Sequence, residues 1–464
     1  MIGFGRAYSN TKQINKSTHQ QIKEATHQRM NKSTFMKYLL IITTLFFHVS
    51  CKDVKKSRQV DELEISFVNT AHLDRLYVPV IFPNGTKAAG IYIYAEAPDY
   101  RLIGDEDEGF TCVDDVARAV QVYIRSKTFF TDTAFQSKAA NLIRFILEMQ
   151  SRNGYFYNFL FPDGQINTKG KTSINNANWW SWRALQTLTE GSPVIKKINL
   201  PLGQRMDSAI SRLITNIKRD LVTLPSTTAR VAGLDVPQYF PAGSASDQAS
   251  IILISLVNYC SENEDDSLRN YIHTLAAGIM KMQHGDKNNF PYACFLSWEN
   301  VWHAYGNDQA YALLRAGKYF KDSNYILAAL KEINFFYPWL VQQEMLSSFS
   351  VEKKKEQFIM NDTMQFAQIA YGIRPMISAT LEAYDITGDK KFASLAQEII
   401  SWFFGKNLLR EKMYDKETGR CYDGLVSANK INKNAGAEST IEALLALQLM
   451  EKHNLLDTAF TRFR

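Results

Sequence analysis

Two neighbouring aspartates, Asp114 and Asp115, open an apolar helical pattern in Gly109-Phe-Thr-Cys-Val-Asp-Asp-Val-Ala-Arg-Ala-Val120. One of them can cap the helix by accepting backbone N–H groups that lack partners, leaving the other free for chemistry. Like charges this close push one pKa upward, which suits a general acid. Arg118, one turn on, can hold the second carboxylate ionised or form a plain salt bridge. Asn178 precedes a tryptophan cluster, Trp179, Trp180 and Trp182, with Arg183 after it. Sugar CH faces stack on indole, while helical spacing sends one or two of these rings into the core. Trp298-Glu299-Asn300-Val301-Trp302-His303 combines stacking faces, an acid and the histidine nearest a candidate cleft, and reads equally as a helix start with core tryptophans. Asp247 and Asp362 read first as helix caps. Glu438 is either a first-turn glutamate favoured by the helix dipole or a second reacting carboxylate, with Glu442 one turn later in support.

These residues need elements to bring them together. From Thr111 onward apolar residues recur at helical spacing, in pairs. Helices are expected near 113–127 and 132–150, 175–190 and 203–221, 245–262 and 265–284, 298–320 and 323–345, 362–386 and 389–404, and 436–453. That makes five pairs and a last helix whose partner lies before residue 111 or is missing. The long, irregular repeat suits a closed double ring of helices better than a linear solenoid, with helix starts converging on one cleft. Residues 61–110 read as an extended arm, with β-rich runs at Tyr77–Phe82 and Ile91–Tyr94 around a turn at Pro83-Asn-Gly85. The ring would occupy 111–455.

Composition narrows the function classes. The formal charge of +6 is carried within residues 1–50, so the body is about neutral and offers nothing basic for nucleic acid. The 464 residues are 45% hydrophobic, ample for a large core. The five cysteines show no CxxC and no zinc spacing; four of them read as scattered buried thiols. There is no GxGxxG, P-loop, HExxH or GxSxG. No cofactor and no metal are therefore expected, although calcium held by carboxylates and carbonyls would escape a motif search.

The N-terminus reads as an address. Residues 1–35 are polar and basic and read as disordered or as a start placed too early, with Met30 or Met36 as the real start. Residues 36–51 have a basic start, an apolar run and a small residue before Cys51, as in a secretory signal. Val49-Ser50-Cys51 resembles the lipobox of bacterial lipoproteins, which would make Cys51 the lipidated residue and 52–60 a tether. The expectation is an exported protein held by lipid on a bacterial membrane, on its periplasmic or cell-surface side.

Thr111-Cys-Val-Asp-Asp-Val-Ala-Arg118, Tyr422-Asp-Gly-Leu425 and Asn434-Ala-Gly-Ala-Glu-Ser-Thr440 resemble the six-hairpin glycosidase superfamily, in particular a bacterial branch often labelled glycosyltransferase or glycoside hydrolase. The resemblance covers most of residues 105–453. It implies an all-α (α/α)6 toroid in which groups at inner-helix starts act on a sugar: Asp114, Asp115, Asn178 with Trp179 and Trp180, Asp247, Trp298 with Glu299, Asp362 and Glu438. It further implies hydrolysis of a poly- or oligosaccharide by paired carboxylates, one aspartate of the 114–115 pair with Glu438 and Glu299 in reserve, with inversion by analogy. Arg118, Trp302 and His303 would join the sugar contacts. Two alternatives stay open: a polysaccharide lyase or sugar epimerase using His303, Tyr305 and Arg374, and a non-catalytic glycan-binding surface lipoprotein.

Overall fold

The computed structural model describes residues 66–220 and 227–456. The chain is built from helical hairpins. Inner helices are α2 (Val113–Ile124), α4 (Trp179–Lys196), α6 (Ser246–Glu262), α8 (Gln309–Phe320), α11 (Ala370–Thr387) and α13 (Ala437–Lys452). Each packs on the next, and α13 returns to α2, closing the ring. Outside them lie α3 (Thr133–Glu148), α5 (Leu200–Asp220), α7 (Asp266–Lys281), α9 (Ser323–Lys331) with α10 (Tyr337–Gln342), and α12 (Lys390–Ile400). The missing partner of α13 is α1 (Ala71–Leu76), a short helix before residue 111.

Side-chain pattern explains the two layers. In α2 every residue except Asp114 is buried, as an element packed on all sides requires. In α5 burial follows Leu202, Met206, Ala209, Ile210, Leu213 and Ile217, a single stripe facing the ring. The layers also differ at their starts. Outer helices α3, α7, α9 and α12 are capped by the aspartates Asp132, Asp265, Asp322 and Asp389. Among the inner helices only α4 has a side-chain cap, from Asn178. The others start at Cys112, Ala245, Asp308, Ile369 and Gly436 without one. Loop carbonyls take over: Asn158 receives the Val113 N–H, Ser297 those of Ser246 and Asp247, and Ile93 that of Ala437.

Two expected helices begin later than the periodicity suggested. Residues 298–308 are not the start of α8; Val301–His303 is a strand paired with Ser348–Lys354, which pairs in turn with Gln357–Met364. Asp362 therefore sits in an exposed strand hydrogen-bonded to Ser350, not at the cap of α11. Aromatic and β-branched residues drive both choices, since cross-strand packing of Trp302 on Phe349 outweighs a marginal helical repeat. The arm over 61–110 contains α1 and two antiparallel hairpins, Tyr77–Ile81 with Lys87–Ile91 and Tyr94–Glu96 with Arg101–Ile103. Cys112, Cys260, Cys294 and Cys421 are buried free thiols. No described helix is long and apolar enough to cross a membrane.

Between α9 and α10 the chain forms one π-helical segment, Glu332–Phe336. Glu332 is fully buried and accepts the Phe295 N–H at 2.7 Å. Burial raises its carboxyl from 4.5 to about 8. The folded chain thus keeps a proton that the unfolded chain releases, so stability declines as pH rises from 4.5 towards about 8. Glu332→Gln is expected to flatten this decline in melting temperatures taken between pH 4 and 9. A variant whose curve runs parallel to wild type would contradict the assignment.

Candidate active site

The starts of the inner helices meet at one end of the ring, joined by ion pairs rather than caps. Arg118, 1% exposed, contacts four carboxylates: Asp114 at 2.7 Å, Asp115 at 2.8 Å, Glu438 at 3.3 Å and Glu442 at 3.0 Å. Both aspartates of the pair thus face Arg118, and neither caps α2. With the Val113 N–H taken by a loop carbonyl and the Asp114 N–H by the Asn158 side chain, the carboxylates are released for the guanidinium. Arg374 links Glu442 at 2.7 Å to Asp308 at 3.0 Å. Arg183 approaches Asp114 at 3.7 Å and Asp308 at 3.9 Å. The Tyr371 ring lies against all three guanidiniums, 5.0 Å from Arg118, 5.0 Å from Arg183 and 5.9 Å from Arg374. Five of the six inner helices are tied together in this belt.

Electrostatics divides the carboxylates. Burial raises Asp115 to about 6 despite Arg118. Burial likewise raises Glu438 to about 7, opposed by Arg118 and reinforced by Asp115, Asp114 and Glu442. Burial would raise Glu442 too, but Arg374, Arg118 and Arg183 hold it below its ordinary value. Of this group Glu438 alone is open, with 38% of its side chain exposed against 14% or less for its partners. Glu438 is thus the exposed carboxyl of the belt, raised towards neutrality.

Helix α6 lies opposite α13 in the ring order. Asp247 sits one residue inside α6, accepting the Gln248 N–H with one oxygen and holding His303 Nε2 at 3.0 Å with the other. His303 Nδ1 faces the Tyr305 carbonyl at 2.9 Å. Both ring nitrogens of His303 thus face oxygen atoms of the protein, a carbonyl and a carboxylate. Tyr305 stacks on His303 with centroids 3.8 Å apart, and Trp179 lies 6.4 Å beyond. Burial pushes the Tyr305 hydroxyl up to about 12, and the charges of Asp247 and Glu438 add to the rise. Glu299 occupies a tight turn between Trp298 and Val301, above the start of α6, with φ of 49°. Desolvation raises its carboxyl.

The tryptophans separate by environment. Trp180 donates to the Phe156 carbonyl and is buried, and Trp302 is fully buried among Phe336 and Phe349. These two are core, contrary to the sugar-contact expectation. Trp298 is 40% exposed, with its indole N–H fixed on the Ala242 carbonyl at 3.2 Å. Trp298→Ala is expected to raise KM about tenfold with little change in kcat, the size of one lost stacking contact; steady-state kinetics on a soluble oligosaccharide measures both. Asp362 lies on the hairpin described above, where its carboxylate accepts from the Ser350 hydroxyl.

Sequence reasoning missed Asp308 and Tyr371. Asp308 is wholly buried at the α8 start, and the placement of a helix over 298–320 hid it. Tyr371 carried no signal, since its role comes from three arginines on three different helices. Among the described residues no group of His, Cys, Asp or Glu is arranged to hold a metal ion.

No protein-family model matches the chain, and no curated protein matches it in sequence. Solved structures do. A cellobiose 2-epimerase from Bacillus thermoamylovorans superposes with TM-score 0.55 at 13% identity, over 78% of this chain and 92% of that one. A D-mannose isomerase gives 0.54 at 12% identity, over 84% and 99%. A family 76 glycoside hydrolase from a bovine Bacteroides thetaiotaomicron strain gives 0.52 at 9% identity, over 84% and 78%. The fold is an (α/α)6 toroid. The epimerase, isomerase and hydrolase likenesses share this architecture.

Proposed function

We propose that the chain is a carbohydrate-active enzyme that hydrolyses a glycosidic bond, with Glu438 as general acid and Glu299 as general base. The observation that carries this reading is Glu438 itself, an open carboxyl raised to about 7 beside a guanidinium. It would protonate the glycosidic oxygen as the C–O bond breaks, and Arg118 would hold the carboxylate left behind. Glu299, on the α6 side of the mouth, would take the proton of the water that attacks the anomeric carbon from the opposite face. Trp298, Trp179 and Tyr305 supply stacking surfaces between them.

Spacing supports this choice of partner over the aspartates. Asp114 Oδ2 and Glu438 Oε2 share one nitrogen of Arg118, at 2.7 and 3.3 Å. That brings them nearer than the roughly 6.5–9.5 Å in which an inverting enzyme fits its water. The other Asp114 oxygen is buried out of reach. Digestion of a glycan panel, with the anomer of the first product read by NMR, tests the proposal: new reducing ends with inverted configuration are expected. Deuterium uptake from D2O next to the sugar carbonyl, without new reducing ends, would replace hydrolysis with epimerisation. The engaged nitrogens of His303 weigh against that reading. Glycan binding with no product at all would mean a binding protein.

We also propose that Cys51 is the lipid attachment point; residues 36–51 lie outside the described residues. Expressed in a bacterium, the protein should partition with membranes and take up labelled fatty acid, and Cys51→Ser should abolish the label. Equal labelling of the variant would remove the anchor from Cys51.

A further inference from the structure

At the other end of the inner helices, away from the arginine belt, lies a cavity of about 420 Å³. It is walled by α6, α8, α11 and α13, mainly through residues of their C-terminal halves. Its charged groups are Arg315, Lys318, Glu382, Asp385 and Lys452, with the His453 imidazole beside them. Both acids are already committed, Glu382 to Lys318 at 3.2 Å and Asp385 to His453 at 3.0 Å. The nearby Glu190 is held by Arg125 at 2.6 Å. Arg315 instead spends its fork on neutral groups, donating to the Tyr311 hydroxyl at 2.9 Å and to the Asn258 side-chain oxygen at 3.0 Å. Among the described residues no carboxylate comes within ion-pair distance of Arg315 or Lys452.

Helix ends account for part of this charge. The carbonyl ends of α8 and α13 favour the cations Lys318 and Lys452 in their last turns, an effect confined to about one turn. Arg315 lies five residues before Phe320, beyond that reach. Glu382 and Glu190 act on Arg315 only from beyond ion-pair distance, and a half-withdrawn guanidinium that touches no carboxylate is an oxyanion receptor, because its planar fork matches two oxygens. We propose that this cavity binds a small oxyanion, phosphate or carboxylate, between Arg315 and Lys452. Tyr311, whose hydroxyl oxygen accepts from Arg315, brings its own O–H to the same space.

The test is thermal unfolding and calorimetric titration of the full chain at pH 7.5, with sodium phosphate or sodium succinate against sodium chloride at equal ionic strength. A saturable rise in melting temperature with either oxyanion, beyond the chloride curve, is expected. Arg315→Met should weaken binding at least about tenfold and Lys452→Ala several-fold, the scale of losing a charge-assisted contact. Glu438→Gln should bind as wild type does, separating this site from the sugar cleft. Curves identical to chloride, or unchanged affinity in Arg315→Met, would overturn the proposal. If Arg315→Met fails to fold, Lys452→Ala decides: its side chain is exposed, and unaltered affinity there would overturn the proposal as well.

Discussion

Replacing Arg118 by methionine is expected to cost about 3–5 kcal/mol of folding stability, the penalty of stripping buried carboxylates of their counter-charge. Asp115 and Glu442 are 6% and 0% exposed, and both touch this guanidinium. Glu442 stays below its ordinary pKa through Arg374 and Arg118 together. A carboxylate with a lowered folded pKa stabilises above its unfolded value and loses that contribution as pH falls. The deficit of the variant should therefore be full at pH 7 and shrink towards pH 4, where the orphaned acids take up protons. Urea midpoints at the two pH values measure it. Equal midpoints for variant and wild type at pH 7 would show that the belt contributes nothing to stability. Arg118→Lys should fall between, keeping the charge but not the fork that reaches several acids at once.

Glu438→Gln is expected to lower kcat by about two to four orders of magnitude, the usual worth of a positioned general acid, while leaving the melting temperature nearly unchanged. The side chain faces open cleft, so its replacement leaves no cavity. Its pH behaviour gives a second readout. The acid works only when protonated, so kcat/KM should fall as pH rises through about 7, and this limb should vanish from the residual activity of the variant. Stability follows the same titration. A carboxyl raised above its unfolded value of 4.5 stabilises least once pH has passed about 7, so Glu438→Gln at pH 8 should melt no lower than wild type. A large loss of melting temperature with activity intact would make Glu438 a structural residue.

The ring of paired helices was legible because burial on all sides of α2 and on one stripe of α5 writes itself into the residue pattern. The convergence of residues 114, 115 and 438 was legible too, since acids at helix starts stand out. Their purpose was not. Local reasoning assigns a first-turn aspartate to its own backbone, whereas distant loops satisfy those N–H groups and hand the side chain to Arg118. The region 298–308 was misplaced for a related reason. Tryptophan and valine suit helix and strand alike in a short run, and the partner strand that decides the matter lies near residue 349. Trp302, Asp308 and Tyr371 owe their positions to such remote neighbours.

The contact between α13 and α2 has one more consequence. Arg118 meets Glu438 and Glu442 across 320 and 324 positions of sequence, so the proposed acid and the arginine that holds it lie on the seam where the first inner helix meets the last. A ribosome must pass α13 before that seam can form, and closing so long a loop comes late in folding. Turnover would then depend on α13 having docked on α2, and fragments ending before α13 are expected to be inert however well their other hairpins had formed.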